Sequence, residues 1–189
     1  IAAIHRPVGA EATFSGVEDL VPRRRLRFTD PEDPRAVEVE EGLSPAGEAD
    51  RKALVEIVAD LDDAIAEVVL SDRDPDAAAL AAAIRRQTLA GRLVPLLCGA
   101  ALRNKGIPQV LDAVCDYLPS PLDVPPVRGE DPRTGEEVVR AADEGAPLVA
   151  LAFKVSLLDE RRRHVFLRVY SGRIAEGDTV WNANLRKHE

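Results

Sequence analysis

The 189-residue sequence contains no methionine, only two cysteines and few aromatic residues. Because aromatic residues make up only 4% of the chain, the core must be built mainly from Val, Leu, Ile and Ala. The two cysteines, Cys98 and Cys115, form no close CxxC pair, which favours buried thiols in a reducing, cytoplasmic compartment over a disulfide scaffold. Since an initiator methionine is also lacking, we expect the chain to start inside a longer protein.

Long apolar runs and excess positive charge are absent as well. No run approaches the roughly 18 residues of a membrane-spanning helix, and the N-terminus lacks the pattern of a signal peptide. A net charge of −8 argues against wrapping DNA or RNA through bulk electrostatics. Residues 1–147 contain 17 basic and 28 acidic residues, whereas residues 148–189 contain 8 and 5. Two surfaces with different partners are therefore expected.

Hydrophobic periodicity predicts a mixed α/β chain. Residues 1–40 are β-rich, and Val37–Glu40 alternates like a half-buried strand. Ser44-Pro45 marks a helix start, because Ser can cap a helix and Pro fits its first position. Apolar residues at spacings of three and four then extend one predicted helix to about Leu70.

The middle of the chain predicts a helix, a strand and a second helix. Asp74-Pro75 starts the first of these helices, and Gly91 can end it in a left-handed conformation. Leu93–Cys98 is predicted to be a buried strand, followed by a loop over Gly99–Gly106 and a helix from Pro108. Strand, tight loop and helix form half of a βαβ unit.

The C-terminal third changes to a β pattern. Residues 119–147 are rich in proline and glycine and predict an extended linker. Three strands are then predicted at Leu148–Leu157, His164–Ser171 and Asp178–Asn182.

Two motifs imitate nucleotide-binding loops. Gly42 and Gly47 have the spacing of a phosphate loop, but Glu48 stands where a lysine must neutralise phosphate oxygens. Asn104-Lys105 resembles the start of the guanine-reading Asn-Lys-x-Asp motif, but Ile107 replaces the aspartate that would accept hydrogen bonds from the base. We therefore interpret both as structural segments.

The remaining polar clusters do not indicate a catalytic or metal site. The three histidines, His5, His164 and His188, lack metal-ligand spacing. Asp62-Asp63 is predicted to lie on a solvated helix face. Arg161-Arg162-Arg163 separates two strands, where it either grips phosphates or forms a solvated hairpin tip.

Seven stretches carry a resemblance that covers nearly the whole chain. They are Pro7–Ala10, Phe14–Val21, Leu97–Ile107, Leu111–Pro126, Leu151–Lys154, Arg168–Gly172 and Gly177–Asp178. In this order they resemble elongation factor G, the GTPase that moves tRNA and mRNA through the ribosome.

The resemblance implies an α/β fold class: the insertion and C-terminal part of a P-loop GTPase domain, followed by the start of a translation-factor β-barrel. Residues 1–92 would be the insertion, and residues 93–118 the last strand, guanine-contact loop and last helix of the GTPase domain. Residues 119–147 would be a linker, and residues 148–189 the first strands of the barrel.

The resemblance also assigns a binding loop to Gly99, Ala100 and Ala101. In the family's fifth GTPase motif, a backbone N–H at this point contacts guanine O6. A backbone donor tolerates Ala100 where the family usually has serine. The parent protein would bind GTP and Mg²⁺, but this chain lacks the phosphate loop and switch segments, so we expect neither to bind it alone.

The implied partner is the ribosome, through its stalk protein and ribosomal RNA. Glu56, Asp60, Asp63 and Glu67 are predicted to form one charged ridge, which is either the stalk contact or a solvated face. The segment 157–163 lacks the glycine that is usual in the family, so the chain is either the main translocase or a paralogue. A non-catalytic ribosome-binding module or ribosome-protection factor is the alternative function.

Overall fold

The computed structural model describes residues 1–131, 134–157 and 163–189. The chain divides into two units, residues 1–118 and residues 119–189, and each is described by itself. Helices and strands both occur, so the expected mixed α/β composition is confirmed.

Short strands open the first unit, as predicted for residues 1–40. They are β1 (Ala2–Ala3), β2 (His5–Val8), β3 (Gly16–Asp19), β4 (Arg24–Phe28) and β5 (Val37–Glu41). Strands β2 to β5 form an antiparallel sheet in chain order. Arg25 stands opposite Glu40 and Arg27 opposite Glu38, and such opposite charges favour this register.

Three helices follow the sheet: α1 (Pro45–Ala59), α2 (Asp63–Leu70) and α3 (Ala77–Leu89). The predicted cap of α1 is confirmed, because the Ser44 hydroxyl accepts a hydrogen bond from the Gly47 N–H at 3.1 Å. Helix α3 begins slightly later than Asp74-Pro75 indicated, since Asp76 caps it through the Ala79 N–H at 2.7 Å.

The prediction of one helix from Pro45 to Leu70 is wrong. The chain leaves α1 after Ala59, and Asp62 stands in an extended conformation, with φ −136° and ψ 110°. The interruption lets both segments face a common core, because Leu54 and Val58 of α1 and Ile65 of α2 are all buried. Periodicity alone cannot detect this break, since apolar spacing continues through it.

The end of the first unit is more exposed than the sequence predicts. Strand β6 (Pro95–Leu96) pairs with β1 in parallel, so a strand forms within Leu93–Cys98 but is only two residues long. Leu93 is buried, whereas Leu96 is 54% exposed, so the prediction of a fully buried strand is wrong. Among the described residues β1 is the single partner strand of β6. Helix α4 (Ile107–Tyr117) forms as predicted, yet Val110, Leu111 and Val114 on its apolar face are 41–61% exposed.

The second unit consists of antiparallel pairs: β7 (Val127–Glu130) with β8 (Glu137–Arg140), β9 (Val149–Leu157) with β10 (Arg163–Ser171), and β11 (Trp181–Asn182) with β12 (Lys187–His188). The first two predicted strands are confirmed, whereas the third is shorter than predicted, since only Trp181–Asn182 of Asp178–Asn182 is a strand. The prediction that 119–147 is extended throughout is wrong, because this segment contains the β7–β8 hairpin. Phe153, Val155 and Trp181 are 51–61% exposed, as expected for sheets with two strands. Arg161 and Arg162 lie outside the described residues, and Arg163 is the first residue of β10.

Candidate functional site

The loop between β6 and α4 is closed by a pair of backbone hydrogen bonds. The Ala100 N–H donates to the Lys105 carbonyl at 2.9 Å, and the Lys105 N–H donates to the Ala100 carbonyl at 3.1 Å. Ala101–Arg103 form a single 3-10 turn between them. Asn104 has a φ of 53°, which asparagine tolerates better than most residues. The loop is therefore a short closed structure.

Two glycines allow the ends of this loop to meet. A Cβ on Gly99 would stand 2.9 Å from the Lys105 carbonyl oxygen. Gly106 has a φ of +82°, and a Cβ there would stand 3.2 Å from both the Cys98 carbonyl oxygen and the Gly99 Cα. Larger residues at these positions would push the two ends of the loop apart.

The three residues assigned to guanine contact, Gly99, Ala100 and Ala101, lie at the start of this loop, and the amides of Ala100 and Ala101 differ in whether they are free to donate. The Ala100 N–H is engaged by the Lys105 carbonyl. Ala101 is exposed, and its N–H has no partner among the described residues. This is expected, because the first N–H of a helical turn has no partner within that turn. Of these two amides, Ala101 offers the one that is open to an external acceptor.

The side chains of Asn104 and Lys105 bind the four-stranded sheet. The Lys105 Nζ donates to the Phe14 carbonyl at 2.5 Å and lies 5.8 Å from the centroid of the Phe14 ring. The Asn104 Nδ2 donates to the Pro31 carbonyl at 3.0 Å. Both residues therefore anchor the loop, a role that the sequence motif did not indicate.

Behind the loop lies a cluster of titratable side chains. The Nε2 of His5 stands 3.8 Å from Asp19 Oδ1, and burial lowers the pKa of His5. Arg24 donates twice to Asp19, at 3.1 and 3.2 Å. Burial raises the pKa of the Cys98 thiol and raises the pKa of Tyr117 to about 12. A neutral imidazole, thiol and phenol fit a structural core better than a reactive site.

Metal-ligating side chains do not converge in the described parts of the chain. Across residues 1–131, 134–157 and 163–189, no three His, Cys, Asp or Glu side chains are placed to hold one ion. Within the same residues, no helix is both long and apolar enough to cross a membrane.

In the glycine pair that imitates a phosphate loop, the second glycine, Gly47, has a packing role. Ser44 donates to the buried Glu18 carboxylate through its N–H at 2.6 Å and its hydroxyl at 3.0 Å. A Cβ on Gly47 would stand 2.7 Å from Glu18 Oε2. Gly47 thus lets the start of α1 approach Glu18, a residue that the sequence analysis did not single out.

The prediction of one acidic ridge on a single helix is also wrong. Glu56, Asp60, Asp63 and Glu67 are all exposed, but Glu56 lies on α1 whereas Asp63 and Glu67 lie on α2. The four acidic residues are therefore distributed over two helices and the turn between them.

Asp62 corrects the prediction of a solvated Asp62-Asp63 face. Its side chain is 5% exposed. Its carboxylate accepts hydrogen bonds from Arg86 Nε at 3.0 Å, the second Arg86 nitrogen at 2.9 Å and Gln87 Nε2 at 2.9 Å. The hydrogen bond from Arg86 lowers the pKa of Asp62. Asp63 is exposed, as predicted.

Two curated proteins match nearly the whole chain. It is 45% identical, over 98% of its length, to Elongation factor G 2 from Syntrophus aciditrophicus, and 47% identical, over 94% of its length, to Elongation factor G 1 from Geobacter sulfurreducens. The chain is homologous to elongation factor G. The resemblance drawn from the sequence is thereby confirmed, and the homology covers the 99–106 loop together with the strands and helices around it.

The chain spans 28% and 26% of these two elongation factor G proteins. No protein-family model matches it. A crystal structure of a Thermus thermophilus protein shares the fold, with a TM-score of 0.64, 22% identity and coverage of 95% of this chain and 24% of that one. At this identity the likeness concerns the fold alone.

Proposed function

We propose that the chain is an internal segment of a translational GTPase of the elongation factor G type. The observation that carries this proposal is 45–47% identity over 94–98% of the chain. Residues 1–92 form the insertion, 93–118 the end of the GTPase domain, 119–147 the connection and 148–189 the start of a β-barrel. The whole protein promotes movement of tRNA and mRNA on the ribosome in the cytoplasm.

Exposed apolar surfaces support this domain assignment. Val110, Leu111 and Val114 are 41–61% exposed on α4, although the helix has the apolar stripe of one that packs against a larger domain. In the second unit, Phe153 and Val155 are each 61% exposed on β9. Strands of a closed barrel bury such residues on their inner face.

In this proposal the Ala101 N–H donates to guanine O6. The support for this contact is that the Ala101 N–H has no partner among the described residues. GTP, when bound by the whole protein, would supply the phosphate bond whose hydrolysis accompanies translocation, and Mg²⁺ would neutralise charge on its phosphate oxygens. This chain itself contributes the closed loop that presents the donor.

Calorimetry with GTP tests whether this chain binds the nucleotide without the rest of the protein. One or two hydrogen bonds from the loop are worth about 1 kcal/mol each, whereas millimolar binding needs about 4 kcal/mol. We therefore expect no measurable heat of binding. Micromolar affinity of the isolated chain would contradict the proposal.

The proposed partners are the ribosomal stalk protein and ribosomal RNA. We propose that the stalk protein contacts the exposed acidic residues at the junction of α1 and α2. Reversing Glu56 and Asp63 to lysine is expected to weaken binding of the stalk protein about tenfold at low salt, because charge pairing at exposed surfaces is screened as salt rises. Glu32→Lys, in the turn after β4, is the control. Unchanged affinity in the double variant would exclude this contact.

A contact with ribosomal RNA is proposed for Arg161–Arg163. Arg163 is exposed at the start of β10, where a guanidinium can reach a phosphate.

A further inference from the structure

We propose that Lys105 is a positioning residue: it fixes the 99–106 loop on one end of the four-stranded sheet, so that the sheet sets where the Ala101 N–H points. This inference rests on the proposed function only in assigning guanine to the loop. The anchoring itself depends on contacts within residues 1–118.

The two carbonyls that receive the loop lie at the same end of the sheet. Phe14 precedes β3, whose first residue, Gly16, pairs with Arg27 near the end of β4. Pro31 follows β4. The loop therefore makes both of its side-chain hydrogen bonds at one end of one sheet.

The Phe14 carbonyl belongs to a firmly held backbone. The next residue, Ser15, donates its N–H to the Val8 carbonyl at 3.0 Å and accepts at its own carbonyl from the Phe28 N–H at 2.9 Å. The Phe14 and Phe28 rings pack 6.0 Å apart. Lys105 thus binds a fixed point between three strands.

The Pro31 carbonyl is held by a tight turn. Asp30 Oδ1 accepts the Glu32 N–H at 2.8 Å, a local side-chain bond that typically stabilises turns. Asn104, however, is exposed, so its bond to Pro31 competes with water. Lys105 is half-buried, and its charged hydrogen bond is the stronger of the two anchors.

Lys105 occupies a place in the loop from which a shift of its side chain relative to the sheet also shifts the Ala101 N–H. The backbone of Lys105 makes both hydrogen bonds that close the loop on Ala100. Ala101 is the next residue, at the first position of the 3-10 turn. A displacement of Lys105 therefore displaces Ala100 directly and Ala101 through one peptide unit.

Hydrogen exchange in this chain tests the anchoring. Lys105→Met keeps the apolar stem and removes the ammonium donor, Lys105→Arg restores a donor, and Lys52→Met is a control at an exposed lysine on α1. We expect the amides of Ala100 and Lys105 to exchange about tenfold faster in Lys105→Met, to recover in Lys105→Arg and to be unchanged in Lys52→Met. The amide of Ile84, buried in α3, reports global stability.

Two results would overturn the anchoring. One is unchanged exchange at Ala100 and Lys105 in Lys105→Met. The other is equal acceleration at these amides and at Ile84, because a residue that only stabilises the unit changes the exchange of loop and core alike.

The consequence for nucleotide binding is tested in the natural full-length polypeptide that carries this chain, with GDP as the probe. Ala101→Pro removes the proposed donor with little strain, because proline fits the first position of a helical turn. Ala100 before it has a non-helical φ of −135° and ψ of 85°. We expect Ala101→Pro and Lys105→Met each to weaken GDP binding about tenfold and Lys105→Arg to restore it.

The outcomes separate the two proposals. If Ala101→Pro leaves GDP affinity unchanged, the guanine contact in the proposed function is wrong, whatever the exchange data show. If Ala101→Pro weakens binding but Lys105→Met does not, the loop contacts the base without control by the sheet, and the positioning role of Lys105 is wrong.

Discussion

Replacing Asp62 with alanine removes a buried carboxylate that accepts three hydrogen bonds from α3. The carboxylate connects α3 to the break between α1 and α2. We expect the variant to lose stability in the first unit, and its exposed neighbour Asp63 provides a matched control on the same segment.

The size of the stability loss in Asp62→Ala follows from the donors that lose their acceptor. Removing one partner of a fully buried ion pair costs about 3–5 kcal/mol, but the Arg86 side chain is 52% exposed and can return to water. Gln87 cannot, because it is 4% exposed and its Oε1 already has no partner among the described residues. Leaving the Gln87 side-chain amide without an acceptor lowers the free energy of unfolding by about 1–3 kcal/mol. We therefore expect a total loss of about 2–3 kcal/mol.

Thermal unfolding followed by helical circular dichroism measures this loss, since the described helices all lie within residues 1–118. For a unit of this size, a loss of about 2–3 kcal/mol corresponds to a Tm lower by about 10 °C. Asp63→Ala removes only a favourable charge from the first turn of α2, worth about 0.3–1 kcal/mol. Equal Tm values for the two variants would refute the assignment of Asp62 as a structural acceptor.

The Asp62 carboxylate also makes the Tm difference between the wild type and Asp62→Ala depend on pH. The hydrogen bond from Arg86 lowers the pKa of Asp62 in the folded state, so the ionised form is the one that stabilises the fold. Its contribution is complete above the unfolded pKa of about 3.9 and disappears as the pH falls through the folded pKa. The Tm difference between the wild type and Asp62→Ala should therefore be full at about pH 7 and shrink below about pH 4.

Two further predictions follow from local geometry. Gly47→Ala should lower the stability of the first unit by about 1–2 kcal/mol despite the higher helix propensity of alanine, because its Cβ would stand 2.7 Å from Glu18 Oε2; a Tm at or above that of the wild type would show that Glu18 moves freely. In the second unit, residues 164–182 should show weak amide protection, because the described strands there pair only two by two. Strong, concentration-independent protection without contacts to another chain or to residues 1–147 would contradict this reasoning.

Local chemistry in the sequence determined the parts of the fold that depend on near neighbours. The Ser44 cap and the start of α4 at the Gly106-Ile107-Pro108 segment are present in the structure. The strand at Val37–Glu40 also forms, although Val39 is 57% exposed and the predicted alternation of burial is absent. Each depends on groups within about four residues of one another, which is the distance over which capping and periodicity rules operate. The family resemblance likewise rested on contiguous motifs.

Tertiary contacts decided the rest. Asp62 lies at a break in a helix that periodicity would continue. Its carboxylate binds Arg86, which is 24 residues away in the sequence. In the sequence, Lys105 is part of an incomplete guanine motif. In the structure, its ammonium group donates to the carbonyl of Phe14, which is 91 residues away. Ala100 belongs to the loop that the resemblance assigns to guanine binding, but its N–H is bonded to the Lys105 carbonyl in the closed loop. For Asp62 and Lys105 a hydrogen bond with a distant segment satisfies a polar group, and no local pattern in the sequence specifies which segment that is.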